Sequence, residues 1–147
     1  IKEILELGCS WGYVLNEING MTGVDINPEN IDKAKKTFPS RYFIAADITK
    51  PLPFMDNQYA IVVLADVLEH IEWRETTNVL TEALRIARHT VLVTLPFKQN
   101  DQFAFCFKHK WIPTAKKIGQ IALWLMVRTQ QVTLESDGTF FYIEVKK

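Results

Sequence analysis

One stretch near the start of the chain most constrains its fold, because an apolar strand runs directly into a small-residue loop and then into a helix. We predict the strand over residues 4–7, the loop over residues 8–12 and the helix from there to residue 18. Glycine allows a tight turn and a close approach of a ligand to the backbone. The unpaired N–H groups at a helix start can bind polar groups of such a ligand. This order is typical of a nucleotide-binding βαβ unit, although similar turns also connect strands and helices that bind nothing.

A carboxylate follows at the position where such a unit binds a sugar. A second short strand is predicted over residues 21–25, and its last residue, Asp25, comes thirteen positions after Gly12. In βαβ sites an acid at this strand end accepts hydrogen bonds from the ribose hydroxyls of an adenosine. An isolated acid here would be a solvated turn residue, but after this loop we interpret Asp25 as a ribose ligand.

Five segments between residues 4 and 97 resemble, in the same order, motifs of the class I S-adenosylmethionine-dependent methyltransferases, in particular their small type 11-like branch. The segments are ELGCSWG at 6–12, GVDI at 23–26, ADI at 46–48, LPFMDNQY at 52–59 and VLEHI at 67–71. One departure concerns the loop, where Ser10 replaces the usual middle glycine. The resemblance implies a methyltransferase that uses S-adenosylmethionine, releases S-adenosylhomocysteine and methylates an O or N of a small-molecule acceptor.

The resemblance also implies which residues hold the cofactor. The loop is expected to hold the methionine part, Asp25 the ribose and Ile26 one side of the adenine. The third motif is expected to hold the adenine edge and face, and the end of the fourth strand is expected to lie beside the methionine or the methyl. The cofactor residues predicted in this way are Glu6, Gly8, Cys9, Ser10, Gly12, Asp25, Ile26, Asp47, Ile48 and Ala65.

The remaining patterns favour an α/β, doubly wound fold in one domain over residues 1–147. Apolar runs predict buried strands over 59–65 and 90–95, and helical spacing predicts helices over 28–38, 76–88 and 111–128. A turn at 136–138 predicts a final hairpin with strands over 132–135 and 139–145. With the resemblance, this predicts a mostly parallel seven-stranded, Rossmann-like sheet of order 3-2-1-4-5-7-6 with the last strand antiparallel. Relatives usually carry helices before the first strand, so we expect a trimmed or minimal version here.

Composition and cysteine spacing argue against a general nucleic-acid binder and against a disulfide-bonded protein. Of the 147 residues, 48% are hydrophobic and 23% charged, and 17 basic residues balance 17 acidic ones, so no general nucleic-acid binding is expected. Cys9 and Cys106 form neither a C-x-x-C pair nor a disulfide framework, and we interpret Cys9 as a small loop residue rather than a nucleophile. We see no signal peptide or transmembrane segment, and predict a cytoplasmic protein.

The candidates for acid–base or metal chemistry are Asp66, Glu69, His70 and His109. In a helical turn, positions 66, 69 and 70 share a face. His70 and His109 are the candidate catalytic residues, because an imidazole, with an unperturbed pKa of about 6.5, suits a hydroxyl acceptor near neutral pH. All four residues together could instead bind a divalent ion. We favour the first interpretation, since similar L-E-H segments occur in methyltransferases of this branch that need no metal.

Two further functions stay open from the sequence. The chain could be a methyltransferase-like module that binds the cofactor without catalysis. It could also be a peripheral or oligomeric interaction protein that uses Trp124, Leu125 and Met126 at the apolar end of the last helix. The identity of the methyl acceptor and the oligomeric state do not follow from the sequence.

Overall fold

The computed structural model describes residues 3–96 and 109–147. Its elements, in chain order, are β1 (Ile4–Leu7), α1 (Tyr13–Glu17), β2 (Thr22–Asp25), α2 (Pro28–Thr37), β3 (Tyr42–Ala45), β4 (Tyr59–Ala65), α3 (Thr76–Ile86), β5 (Ala87–Pro96), α4 (Ala115–Met126), β6 (Gln131–Ser136) and β7 (Phe140–Lys146). Two short 3₁₀ turns, at Leu68–His70 and Trp73–Glu75, lie between β4 and α3.

The strands form one seven-stranded sheet of order β3-β2-β1-β4-β5-β7-β6, which confirms the predicted topology. The first five strands pair in parallel, whereas β7 runs antiparallel to both of its neighbours, β5 and β6. The order reverses at β1, which lies between β2 and β4. In doubly wound sheets a ligand binds at the carboxyl ends of the strands beside such a reversal. The topology therefore predicts a binding site at the end of β1.

Apolar side chains on the two faces of the sheet form separate clusters. The larger cluster joins Leu5 and Leu7 to buried residues of α3 and α4, and the smaller joins Leu15 of α1 to Ile31 and Ala34 of α2. Because side chains alternate along a strand, Glu6 points away from the larger cluster. The helices thus cover both faces, as expected for a doubly wound sheet.

Local chemistry fixes the start of α2. The side chain of Asn27 accepts a hydrogen bond from the N–H of Glu29 at 2.9 Å, and Pro28 occupies the first helical position. An Asn cap followed by proline satisfies the helix start without requiring the missing proline donor. The helix then buries Ile31 and Ala34 on one face.

Both predicted boundaries between α3 and β5 were wrong. The helix predicted to reach residue 88 ends at Ile86, and β5 begins at Ala87, three residues before the predicted start. The reason is a register irregularity, because Tyr59 pairs with Ala87 while Ile61 pairs with Thr90, and this interrupts the alternation.

The helix predicted from residue 111 begins instead at Ala115. Its N-cap is Thr114, whose hydroxyl accepts from the N–H of Lys117 at 3.4 Å. Within α4, Leu125 is fully buried and Trp124 packs against the larger cluster, while Met126 is half exposed. Among the described residues, no helix is long and apolar enough to cross a membrane.

Glu6 is a buried acid in the middle of the sheet. Only 2% of it is exposed, and its Oε2 finds no hydrogen-bond partner among residues 3–96 and 109–147. Burial raises the pKa of the carboxyl from its ordinary 4.5 to about 8, with the negative charge of Asp25 acting in the same direction and a backbone hydrogen bond from Leu15 opposing it. The folded protein therefore holds this carboxyl neutral at pH 7.

The first prediction concerns the pH dependence of stability. Between about pH 4.5 and 8, unfolding releases the proton that the folded state retains on Glu6, so the free energy of unfolding should fall as pH rises. The variant Glu6→Gln, neutral at every pH, should lose the part of this decline that Glu6 causes and be more stable than the parent at pH 8 by roughly 1–3 kcal/mol. Urea unfolding at pH 5, 6.5 and 8 measures the difference.

Glu17→Gln, the same change at an exposed position of α1, is the matched control and should keep the parental decline. Equal pH slopes for Glu6→Gln and Glu17→Gln would contradict the neutral state of Glu6.

Candidate functional site

The loop after β1 approaches the rest of the chain too closely for a side chain at Gly8. The N–H groups of Gly8 and Cys9 both donate to the carbonyl of Val24, at 2.7 and 2.9 Å. Gly8 has a φ of 83°, and a Cβ there would lie 2.3 Å from Cγ2 of Val67. Glycine is therefore required both for backbone conformation and for space.

Ser10 and Asp25 tie this loop to the end of β2. Ser10 has a φ of 46°, a left-handed conformation in which its N–H donates to Oδ2 of Asp25 at 2.9 Å. The other oxygen, Oδ1, accepts from the N–H of Asn27 at 2.9 Å and from Nδ2 of Asn30 at 3.3 Å. Glycine adopts this conformation without steric cost, which explains why it is usual here, and Ser10 adopts it with this hydrogen bond.

A cleft of about 360 Å³ opens at the carboxyl ends of β1, β2 and β3. Six of the residues predicted from the sequence line it, namely Gly8, Asp25, Ile26, Asp47, Ile48 and His70. The other described residues of the lining were not predicted from the sequence, and they are Thr49, Lys50, Val67, Ile71, Glu72, Glu75 and Lys110. Several of them follow β3 or β4, so the rule that ligands bind at strand ends could have identified them.

The other predicted cofactor residues do not line the cleft, namely Glu6, Cys9, Ser10, Gly12 and Ala65. Glu6 and Cys9 are buried, and Gly12 begins α1 in a left-handed conformation against the ring of Phe43. Ala65 ends β4 and pairs with β5. Burial raises the pKa of the Cys9 thiol far above its ordinary value, and the nearby carboxyls of Glu6 and Asp25 add to this rise. Burial therefore disfavours the thiolate, which is the nucleophilic form of Cys9.

Asp47, which follows β3 and lines the cleft, provides a fixed negative charge there. Its Oδ1 accepts from the N–H and the hydroxyl of Thr49, at 2.9 and 2.8 Å. These hydrogen bonds, the one from the backbone foremost, lower the pKa of the carboxyl. Asp47 is therefore ionised at neutral pH, and its neighbour Ile48 contributes an almost fully buried apolar surface.

The structure brings Glu69, His70 and His109 together, and of these three residues His70 lines the cleft. The rings of His70 and His109 have centroids 4.8 Å apart and meet edge to face. One potential ligand atom from each of the three residues lies within 4.8 Å of the others. Glu69 is 1% exposed, its Oε1 lies 3.9 Å from Nε2 of His70, and burial raises the pKa of its carboxyl to about 7. The two imidazoles predicted as catalytic thus converge.

Asp66 lies outside this group of described residues. It has a φ of 49°, so the predicted continuous helical face does not form, and the helical turn covers only Leu68–His70. Its Oδ1 instead accepts a hydrogen bond from the hydroxyl of Thr94 on β5 at 2.7 Å. Of the four residues predicted as possible metal ligands, Glu69, His70 and His109 therefore lie close together and Asp66 does not.

Two ion pairs flank the mouth of the cleft. Lys50 lies 4.0 Å from Glu75 on the β3 side, and Lys110 lies 3.3 Å from Glu72 on the side of the histidines. Both glutamates belong to the segment around the second 3₁₀ turn, so this segment is linked to both walls. Exposed pairs of this kind contribute little stability.

A larger, shallow depression of about 520 Å³ lies at the other edge of the sheet, beside the amino ends of β2, β3 and β4. Its wall includes Thr22, Tyr42 and Tyr59, the first residues of those strands. Topology favours the smaller cleft as the functional site, because ligands of doubly wound sheets bind at carboxyl ends.

Comparison with solved structures finds the same fold in S-adenosylmethionine-dependent methyltransferases. One from Archaeoglobus fulgidus is 15% identical with a TM-score of 0.80, covering 98% of this chain and 85% of its own. The methyltransferase domain of bacterial CtHen1-CN is 18% identical with a TM-score of 0.78, covering 99% and 90%. Magnesium protoporphyrin IX methyltransferase from Synechocystis, solved with S-adenosylhomocysteine, is 16% identical with a TM-score of 0.70, covering 98% and 73%. At these identities the likeness shows the fold alone.

The sequence itself carries the assignment to a family. No curated protein sequence matches the chain. A family model described as "Methyltransferase domain" matches residues 4–90, more than half of the chain and the part that builds the glycine loop, Asp25 and the 3₁₀ turn with His70. The chain therefore belongs to the methyltransferase-domain family.

Proposed function

We propose that this chain is an S-adenosylmethionine-dependent methyltransferase that transfers a methyl group to an O or N atom of a small-molecule acceptor. The observation that carries the proposal is the cleft at the carboxyl ends of β1 and β2, where the Gly8 loop and the Asp25 carboxylate meet. The family match and the shared fold support the same chemistry.

In this proposal the cofactor lies along the cleft from the histidines towards Asp47. The backbone of the Gly8 loop faces the methionine part, and the carboxylate of Asp25 accepts hydrogen bonds from the ribose hydroxyls. Ile26, which is 67% exposed, and Ile48 provide apolar contacts for the adenine, and Asp47 accepts from its edge. Covering the exposed side chain of Ile26 with the flat adenine ring would be favourable, because it removes apolar surface from water.

Methyl transfer requires little from the protein beyond alignment. A lone pair of the acceptor attacks the methyl carbon while the carbon–sulfur bond breaks, and its electron pair returns to sulfur to give neutral S-adenosylhomocysteine. Holding donor and acceptor in line can lower the barrier by roughly 7–11 kcal/mol. The acceptor also loses a proton, and we propose His70 with His109 as the base, since their ring centroids lie 4.8 Å apart and His70 lines the cleft.

A divalent ion at the same three residues is the second candidate, and the donor set fits one. Glu69 Oε2 is buried without a hydrogen-bond partner among the described residues, and nitrogen and oxygen donors of three side chains lie within 4.8 Å of one another. Imidazole and carboxylate ligands suit zinc, manganese or iron. Glu69, His70 and His109 would hold the ion, which would supply Lewis-acid activation of a hydroxyl acceptor.

The second prediction tests the cofactor assignment of Asp25. The variant Asp25→Ala should bind S-adenosylhomocysteine at least tenfold more weakly, because hydrogen bonds to a charged group contribute about 1.5–3 kcal/mol each. Asp32→Ala, the same substitution at an exposed position of α2, should bind like the parent. Titration calorimetry measures both, with thermal melting to show that each variant is folded. Unchanged affinity in a folded Asp25→Ala variant would remove Asp25 from the site.

The third prediction tests catalysis and the metal together. Release of S-adenosylhomocysteine is measured with a panel of phenols, catechols and small amines, before and after dialysis against a chelator. His70→Gln and His109→Gln should each lower turnover by about 10²-fold or more, as expected when general acid–base catalysis is removed. His89→Gln, an exposed histidine at the start of β5, should leave turnover unchanged.

The outcomes separate the alternatives. Turnover that survives the chelator but not His70→Gln supports the imidazole base, whereas turnover lost with the chelator and restored by an added divalent ion supports the metal. Cofactor binding without turnover of any acceptor would support a module that binds but does not catalyse. Turnover that survives both the chelator and His70→Gln would contradict both roles of His70.

A further inference from the structure

We infer that Trp111 is a positioning residue, whose indole N–H holds the segment that carries His109 against the turn that carries His70. The inference concerns how the two rings are brought together, and it rests on the function proposed above for its catalytic meaning. Trp111 lies outside the cleft lining, so its role is indirect.

Two hydrogen bonds join the residues after His109 to the 3₁₀ turn at Leu68–His70. The backbone N–H of Lys110 donates to the carbonyl of Glu69 at 2.7 Å. The indole Nε1–H of Trp111 donates to the carbonyl of Leu68 at 2.9 Å. The two acceptors are consecutive carbonyls of the turn that bears His70, so both bonds set the distance between the two imidazoles.

A single backbone hydrogen bond leaves a segment free to rotate about it, and the indole removes this freedom. Trp111 is only 5% exposed, and its ring meets that of Trp73 edge to face, with centroids 4.9 Å apart. Trp73 comes shortly after the turn that bears His70, so its ring contact also links the indole of Trp111 to that part of the chain. The ammonium of Lys117, on the first turn of α4, lies 5.2 Å from both rings. Such contacts fix the plane of the indole and therefore the direction of its N–H.

Trp111 could act through its N–H donor, which would position the segment, or through its apolar ring, which would fill space in the core. The two roles differ in whether the N–H is needed. A buried N–H that lost its acceptor would carry an uncompensated desolvation cost, so the bond to Leu68 is maintained whenever the ring is in place. Phenylalanine at this position would keep much of the apolar contact and lose only the donor. If Trp111 merely filled space, that replacement would leave the two imidazoles where they are.

The test is a nuclear Overhauser cross-peak between the ring protons of His70 and His109 in protein labelled at its 3 histidines, with His89 as the internal reference. The parent should show the cross-peak. Trp111→Phe should lose it while the backbone spectrum of the sheet stays native. Trp124→Phe, the same change at a half-buried position of α4, should keep it. A benzothienylalanine at position 111 retains the ring shape without the N–H and should also lose it, which covers the case in which Trp111→Phe does not fold.

Retention of a parental cross-peak in either donor-free variant would overturn the inference, as would a parent in which the two rings show no contact. Turnover with the panel acceptors, measured on the same variants, separates this result from the proposed function. Loss of the cross-peak with unchanged turnover would uphold the positioning role and contradict catalysis by the histidine pair. Loss of turnover with an intact cross-peak would contradict the positioning role alone.

Discussion

The hydrogen bond between the N–H of Ser10 and the carboxylate of Asp25 is the interaction on which the candidate site depends. It fastens the loop after β1 to the end of β2, and the second oxygen of the same carboxylate holds the start of α2 through Asn27. The loop is held from the other side by Val67, which fills the space above Gly8. Three segments therefore meet around one carboxylate at the point where the strand order of the sheet reverses.

The two halves of the cleft are built differently. The half proposed for the cofactor comes from strand ends that are close in sequence, and its polar groups are satisfied locally, as Asp47 is by Thr49. The half proposed for the acceptor depends on a long-range contact, because bonds between the segment before α4 and the turn after β4 bring His109 to His70. A change in the segment before α4 would therefore disturb the histidine pair while leaving the half proposed for the cofactor intact.

The sequence predicted most of the fold and about half of the cleft. Strand order followed from apolar runs and a family resemblance. Gly8 followed from the strand–loop–helix pattern, Asp25 from its position at a strand end, and Asp47 from the resemblance. Local patterns failed where tertiary contacts decide, as at β5, where a register irregularity moves its start to Ala87. They also failed at Asp66, which was predicted to share a helical face with His70 but turns to Thr94 in a left-handed conformation. Lys110 and Glu72 were missed because only folding brings their segments together.

The most direct test of the account is a titration of the ¹⁵N-labelled protein with S-adenosylhomocysteine, followed by amide chemical shifts. We expect saturable shifts at residues 8–12, 25–27 and 47–49, with smaller ones near His70, because these amides surround the cleft. Saturable shifts centred on Tyr42 and Tyr59, at the opposite edge of the sheet, or no saturable shift at all, would contradict the assignment of the cleft as the cofactor site.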